Sequence, residues 1–337
     1  MNKLLPKLRV SIIDRCQLKC VFCGGNDNKM ENFQPEYMDT LLSTEKLLKI
    51  IKQYVCSGGK YVQFTGGEPL LRKDLEYIVS KTYEFGGIPE INTNGLLLTY
   101  EKALKLKEAG INIIKVSIPS FDRETYKKLT RVDALDKVLN NISNALKVVD
   151  IRINMVATRE SMKNIDKAIE TCRSLKVKQL LLLELLYYPH VENEKKVFED
   201  KYVDIRREYG EHIEKITGTP FKPFSFNNRF ENTLSVSKSL DNKFEIYVKQ
   251  ANPVLRVNKC YECSHFCQEG IYELRLSTGG YLSFCNICND FGIDISKINN
   301  DEEILSIFTN YKEILAPATE SKFDEFISCH KLCINNK

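Results

Sequence analysis

Asp14-Arg15-Cys16-Gln17-Leu18-Lys19-Cys20-Val21-Phe22-Cys23 places three cysteines within eight residues, spaced C-x3-C-x2-C, directly after the strand-like run Leu8-Arg9-Val10-Ser11-Ile12-Ile13. Thiolates are soft ligands for zinc or iron–sulfur clusters, and four of them normally complete such a site. Three in one loop, with no fourth nearby, suggest a cubane cluster with one iron left open to a small molecule. That is a catalytic arrangement. The competing reading is a zinc knuckle completed by a distant ligand, although zinc loops more often pair two C-x2-C units.

Outward from this loop, residues 8–185 alternate between β-branched runs and helical patterns. Strands are expected at 8–13, 61–65, 89–93, 111–118, 151–157 and 178–185. Helices are expected at 43–55, 73–85, from Thr99 to just before Gly110, 122–129, 134–149 and 162–175, with Ser43 or Thr44 and Thr99 as N-caps. Six strand–helix repeats predict a parallel α/β sheet with helices outside. Periodicity fits a flat doubly wound sheet about as well as a curved partial barrel. Thr65-Gly66-Gly67-Glu68-Pro69 follows the second strand. Its glycines allow close backbone approach, Glu68 supplies a carboxylate and Pro69 stiffens the turn. Asn94, Ser117, Asn154 and Arg159 fall at or near later strand ends, where barrel enzymes gather their ligands. Each also suits an ordinary turn or cap.

The cysteine loop, its strand and its flanks resemble the radical S-adenosylmethionine (radical SAM) enzymes. Within them, residues 11–16, 66–74 and 110–131 are similar to the GTP 3′,8-cyclases, and the C-terminal part to the SPASM/twitch enzymes. The resemblance implies a partial (β/α)6 barrel of parallel strands with a C-terminal iron–sulfur extension. It implies that Cys16, Cys20 and Cys23 hold a [4Fe–4S] cluster, with S-adenosylmethionine on the fourth iron. Phe22 would lie beside the adenine, Gly66, Gly67, Glu68 and Pro69 at the methionyl amino group, and Asn94, Ser117, Asn154 and Arg159 around the ribose and carboxylate. Arg15 and Arg72 match arginines that face the cyclase triphosphate; here they would serve an anionic substrate or form local ion pairs. The implied activity is reductive cleavage of S-adenosylmethionine to a 5′-deoxyadenosyl radical, which abstracts hydrogen from a small metabolite or a peptide. A donor such as flavodoxin or ferredoxin would supply the electron.

The 337 residues carry 12 cysteines, 43% hydrophobic residues and a net charge of +4 from 49 basic and 45 acidic side chains. That balance argues against a nucleic-acid partner. The N-terminus lacks the apolar core of a signal peptide, and the run 180–186 is too short to span a membrane and contains Glu184, so a soluble cytoplasmic protein is expected. Clustered thiols in a reducing compartment mean metal rather than disulfides. Only Cys56 and Cys172 stand apart, and both are expected as small packing residues inside helices.

Three parts are expected: the barrel (1–188), a connecting or substrate-facing region (189–258) and an auxiliary-cluster region (259–337). The second contains a charge-rich helical segment at 192–216, aromatics at 221–226 and a strand at 244–248. In the third, Cys260, Cys263 and Cys267 precede a hairpin turning at Gly279-Gly280 and followed by Cys285 and Cys288; Cys329 and Cys333 come later. The SPASM/twitch resemblance implies an auxiliary [4Fe–4S] cluster there. A zinc ribbon is the alternative, and the thiols that would complete the cluster stay open. Seven thiols are one short of two full clusters, so a second would need an open iron or a ligand such as His265 or His330. One auxiliary cluster is expected. Arg275 keeps one basic position of the cyclase N-R-x-R-L run, whereas the other is Glu273, whose charge would oppose a triphosphate at close range.

Overall fold

Alternation along the strands determines which side chains meet helices and which line the interior. The computed structural model describes residues 5–21, 41–185, 200–224, 234–249, 273–283 and 292–314. β1 (Lys7–Ser11), β2 (Tyr61–Thr65), β3 (Ile88–Thr93), β4 (Ile113–Ser117), β5 (Ile151–Ala157) and β6 (Gln179–Glu184) lie side by side in chain order, each parallel to the next. The crossovers between them contain α1 (Thr44–Cys56), α2 (Leu75–Glu84), α3 (Tyr100–Glu108), α4 (Arg123–Thr130), α5 (Leu135–Ala145), α6 (Arg159–Met162) and α7 (Ile165–Ser174). Ser43, not Thr44, caps α1 by accepting from the Lys46 amide, and Thr99 caps α3 through the Lys102 amide. The helix expected at 162–175 forms as α7 and starts three residues later, because a Thr158–Ser161 capping box opens a separate short turn, α6, that ends at Met162.

The sheet continues at both edges. Beyond β6 lie β7 (Lys222–Phe224), β8 (Leu234–Lys238) and β9 (Glu245–Lys249), with β9 parallel to β6 and the other two antiparallel. Beyond β1 lie β10 (Glu273–Leu276), β11 (Tyr281–Ser283) and β12 (Gly292–Asp294), with β10 parallel to β1. The expected hairpin is thus present as β10–β11, and Gly280 takes the positive φ (94°) that its reversal needs. Eight neighbouring strands are parallel, from β10 through β1–β6 to β9, and one sheet runs through all three expected parts. It is strongly curved: Lys7 on β1 reaches Glu90 on β3 at 3.0 Å across β2, and Lys249 on β9 acts on Glu273 on β10.

On the convex face, Leu8, Val10, Val62, Phe64, Ile91, Ile114, Val116, Ile153, Met155, Leu180 and Leu182 are fully buried beneath the helices. α8 (Ile205–Thr217) begins where the Glu184 carboxylate accepts from the Ile205 amide (3.1 Å), so the one acid of the apolar 180–186 run is buried and hydrogen-bonded. α9 (Asp301–Ile314) docks on α1, with the Phe308 and Tyr54 rings edge to face at 5.5 Å. The buried Tyr54 hydroxyl donates to the Pro6 carbonyl at 2.8 Å.

Cys172 is buried as expected. Cys56 is exposed, because it is the last residue of α1 and faces away from the stripe formed by Leu47, Ile50, Ile51 and Tyr54. Among the described residues no helix is long and apolar enough to cross a membrane.

Candidate active site

The cysteine loop leaves β1 and is held against the turn after β2 by backbone hydrogen bonds. Ile12 N donates to Thr65 O (2.9 Å), Gly67 N to Ile13 O (2.7 Å) and Glu68 N to Arg15 O (2.8 Å). This approach explains the paired glycines. A Cβ on Gly66, whose φ is 131°, would lie 2.1 Å from the Ile13 oxygen, and one on Gly67 2.2 Å from the Arg15 oxygen. The backbone they admit is that of the cysteine loop itself.

Glu68 is 1% exposed, and its carboxylate is occupied by protein donors. Oε1 accepts from the Leu70 amide (3.0 Å) and the Thr93 hydroxyl (2.7 Å), and Oε2 accepts from the Asn94 amide (2.8 Å). Burial raises its pKa, opposed by these three bonds. The side chain therefore caps the 3-10 turn Pro69–Leu71 and ties it to the end of β3. In Glu68→Gln an N–H group must replace one acceptor oxygen among donors. Stability should fall by about 1–3 kcal/mol, the cost of a buried unsatisfied group, together with a weaker hold on the loop. Unfolding by urea measures this, and a variant as stable as wild type would contradict the bracing role.

Cys16 is half-buried, and its sulfur accepts from the Leu18 amide (3.4 Å) and the Asn94 side-chain amide (3.8 Å). Cys20 is half-buried, and the loop beyond it is pinned to α4 by a bond from Val21 N to Leu129 O (2.9 Å). Phe22 and Cys23 lie outside the described residues, as do Cys260, Cys263, Cys267, Cys285, Cys288, Cys329, Cys333, His265 and His330. A cavity of about 750 Å³ adjoins Cys16, lined in part by Arg15, Gln17, Thr44 and Arg72.

Ser117 and Asn154 are register partners at the carboxyl ends of β4 and β5. Ser117 is exposed, whereas Asn154 is buried and its Oδ1 has no hydrogen-bond partner among the described residues. A buried acceptor left in that state costs about 1–3 kcal/mol. A ligand hydroxyl would satisfy it, so this strand end fits a ribose-bearing cofactor such as S-adenosylmethionine. Arg159 instead opens α6 and pairs with Glu208 of α8 at 3.3 Å, largely exposed.

The three arginines expected near substrate differ in their surroundings. Arg15 is exposed beside the cavity. Arg72 is buried and forms a local ion pair, donating to Asp74 (2.8 Å) and to the Ile12 carbonyl (2.7 Å). Burial opposes ionisation of Asp74, but its bonds to Arg72 and Thr44 win and hold its pKa below the usual carboxylate range. Arg275 contacts Glu273 at 2.6 Å, and Arg9 approaches the same oxygen at 3.5 Å. Glu273 is buried, yet Arg275, Arg9 and more distant lysines hold its pKa at about 2. Its charge is compensated within the protein rather than presented bare to a ligand.

The concave face also contains a group that the sequence reading passed over. Lys115, 1% exposed, pairs with Glu90, which also binds Lys7 at 3.0 Å. Although burial disfavours its charge, Lys115, Lys7 and Arg152 hold the Glu90 pKa at about 2. The available signal was a polar residue at every second strand position: Lys7 and Arg9, Gln63, Glu90 and Asn92, Lys115, then Arg152 and Asn154.

The family profile of the Radical SAM superfamily matches residues 10–172. A probable GTP 3′,8-cyclase of Saccharolobus islandicus (strain M.14.25 / Kamchatka #1) is 33% identical over 303 residues, covering 88% of each chain. A probable GTP 3′,8-cyclase of Sulfurisphaera tokodaii is 30% identical over 339 residues, covering 96% of this chain and 95% of that one. Among solved structures, Streptococcus suis SuiB bound to S-adenosylmethionine shares the fold with a TM-score of 0.61 at 18% identity, over 89% of this chain and 65% of SuiB. The enzyme anSMEcpe, bound to AdoMet and a Cp18Cys peptide, gives a TM-score of 0.59 at 16% identity, over 93% of this chain and 82% of that one.

Proposed function

Because the chain belongs to the radical SAM superfamily, whose enzymes work with a [4Fe–4S] cluster and S-adenosylmethionine, we propose that Cys16, Cys20 and Cys23 hold that cluster and that the substrate is a small anionic metabolite of the nucleotide class. When bound, the cluster and S-adenosylmethionine supply a 5′-deoxyadenosyl radical for hydrogen abstraction. The residues of this chain do the positioning. Gly66 and Gly67 let the turn after β2 seat the cysteine loop, and Glu68 braces that turn against β3. Asn154 offers an acceptor to a ribose hydroxyl, and the curved sheet shields the reacting carbon from solvent. An auxiliary [4Fe–4S] cluster on the C-terminal cysteines and a flavodoxin- or ferredoxin-type donor belong to the same proposal.

One observation carries the choice of substrate. On the concave face of the eight parallel strands, six cationic side chains (Lys7, Arg9, Lys115, Arg152, Lys249 and Arg275) face three carboxylates (Glu90, Glu245 and Glu273). That excess favours an anion, and similarity to the GTP 3′,8-cyclases makes a guanine nucleotide the first choice to test. Anaerobic, dithionite-reduced enzyme should form 5′-deoxyadenosine several-fold faster with GTP or GMP than with guanosine. Equal rates with all three, or stimulation by an uncharged peptide alone, would overturn this reading.

A further inference from the structure

We propose that Asn94 is a positioning residue that raises the reduction potential of the cluster by donating its side-chain N–H to the Cys16 sulfur, and that Gln17 holds the amide in this orientation. The proposal rests on the reading that Cys16 is a cluster ligand. It assigns the Asn94 amide to sulfur rather than to the ribose or carboxylate of S-adenosylmethionine.

The orientation of the amide follows from its neighbours. Asn94 Oδ1 accepts from the Leu96 amide at 3.0 Å and from Gln17 Nε2 at 3.2 Å. Both are donors, so the oxygen must face them. A flipped amide would set N–H groups against the Leu96 N–H. Nδ2 is left facing Cys16 Sγ, 3.8 Å away. The Asn94 backbone is fixed as well, since its amide donates to Glu68 Oε2 at 2.8 Å. Two N–H groups from different parts of the chain therefore converge on one sulfur, Leu18 from the cysteine loop and Asn94 from the end of β3. A sulfur that accepts hydrogen bonds carries added negative charge at lower cost, and such bonds are among the levers that set iron–sulfur potentials. Because Leu18 donates from its backbone, Asn94 is the donor of this pair that substitution can remove.

The test is a redox titration of anaerobically reconstituted full-length protein, followed by electron paramagnetic resonance of the signal that changes on adding S-adenosylmethionine. Asn94→Asp keeps the shape and the acceptor for Leu96 N but sets a carboxylate oxygen against the sulfur. Its midpoint should become more negative by at least a tenfold change in the reduction equilibrium, about 59 mV for one electron. Asn94→Ala and Gln17→Leu should move it in the same direction by less. A purely structural role would lower iron content while leaving the potential of the loaded fraction unchanged. If Asn94→Asp does not take up iron, the other two variants decide. Wild-type potentials in the variants that load iron overturn the proposal. A wild-type protein with no signal responsive to S-adenosylmethionine would overturn the cluster assignment instead.

Discussion

Replacing Cys16, Cys20 and Cys23 together with alanine is expected to remove about four irons per chain, one cubane's worth, and to reduce 5′-deoxyadenosine formation to background. The effect is expected to be total because the C-terminal thiols are proposed to serve the auxiliary cluster instead. Cys56 and Cys172 lie on helices of the outer layer, Cys56 at the solvent end of α1 and Cys172 buried in α7. The fold should survive, since the loop is held by backbone bonds from Gly67, Glu68 and Val21 that need no cysteine side chain. Iron content, far-ultraviolet circular dichroism and product formation separate these outcomes. Undiminished 5′-deoxyadenosine from a folded triple variant would contradict the assignment.

The second large effect concerns stability. Glu90→Gln leaves Lys115 buried without its counter-charge, beside Lys7 and Arg152. Breaking a buried pair on one side typically costs about 3–5 kcal/mol, whereas replacing both partners with apolar groups costs far less. Glu90→Gln should therefore be markedly less stable than the Glu90→Gln, Lys115→Met double variant. Acid adds a second readout. Glu90 titrates at about 2 in the fold, against about 4.3 in an unfolded chain. Its contribution is complete above the unfolded value and drains away as pH falls toward 2. The Gln variant should lack that part of the acid-induced loss. Urea unfolding at neutral and acidic pH measures both effects, and a single variant at least as stable as the double would contradict the pairing.

Local chemistry in this chain was readable in advance, and long-range partnership was not. Ser43 and Thr99 stand before their helices as caps, and Gly66 through Pro69 follows the second strand, as their residue types require. Nothing near Glu68 announces that Thr93 and Asn94, some 25 residues on, will occupy its carboxylate. The strand expected at 244–248 forms as Glu245–Lys249, but its own sequence does not say that it extends the barrel sheet beside β6. The 111–118 run is recognisable as a strand, with Ile114 and Val116 fully buried beneath the helices. Its alternate residue Lys115 faces inward instead and is stable there because Glu90 lies on the neighbouring strand.

The ion pairs of the concave face also bear on substrate. Read alone, Glu273 is a charge that would repel phosphate. In the fold it is screened by Arg275 and Arg9, and the face as a whole retains an excess of cations. On the proposed reading, an anionic substrate would meet the charge of the curved sheet as a unit rather than one strand's local motif.

The most direct measurement uses wild-type protein reconstituted anaerobically with iron and sulfide, then reduced with dithionite in the presence of S-adenosylmethionine. The expected result is about four irons lost on substituting Cys16, Cys20 and Cys23, and formation of 5′-deoxyadenosine and methionine by the wild type. Iron-loaded protein that leaves S-adenosylmethionine intact, or stoichiometric zinc in place of iron, would contradict it.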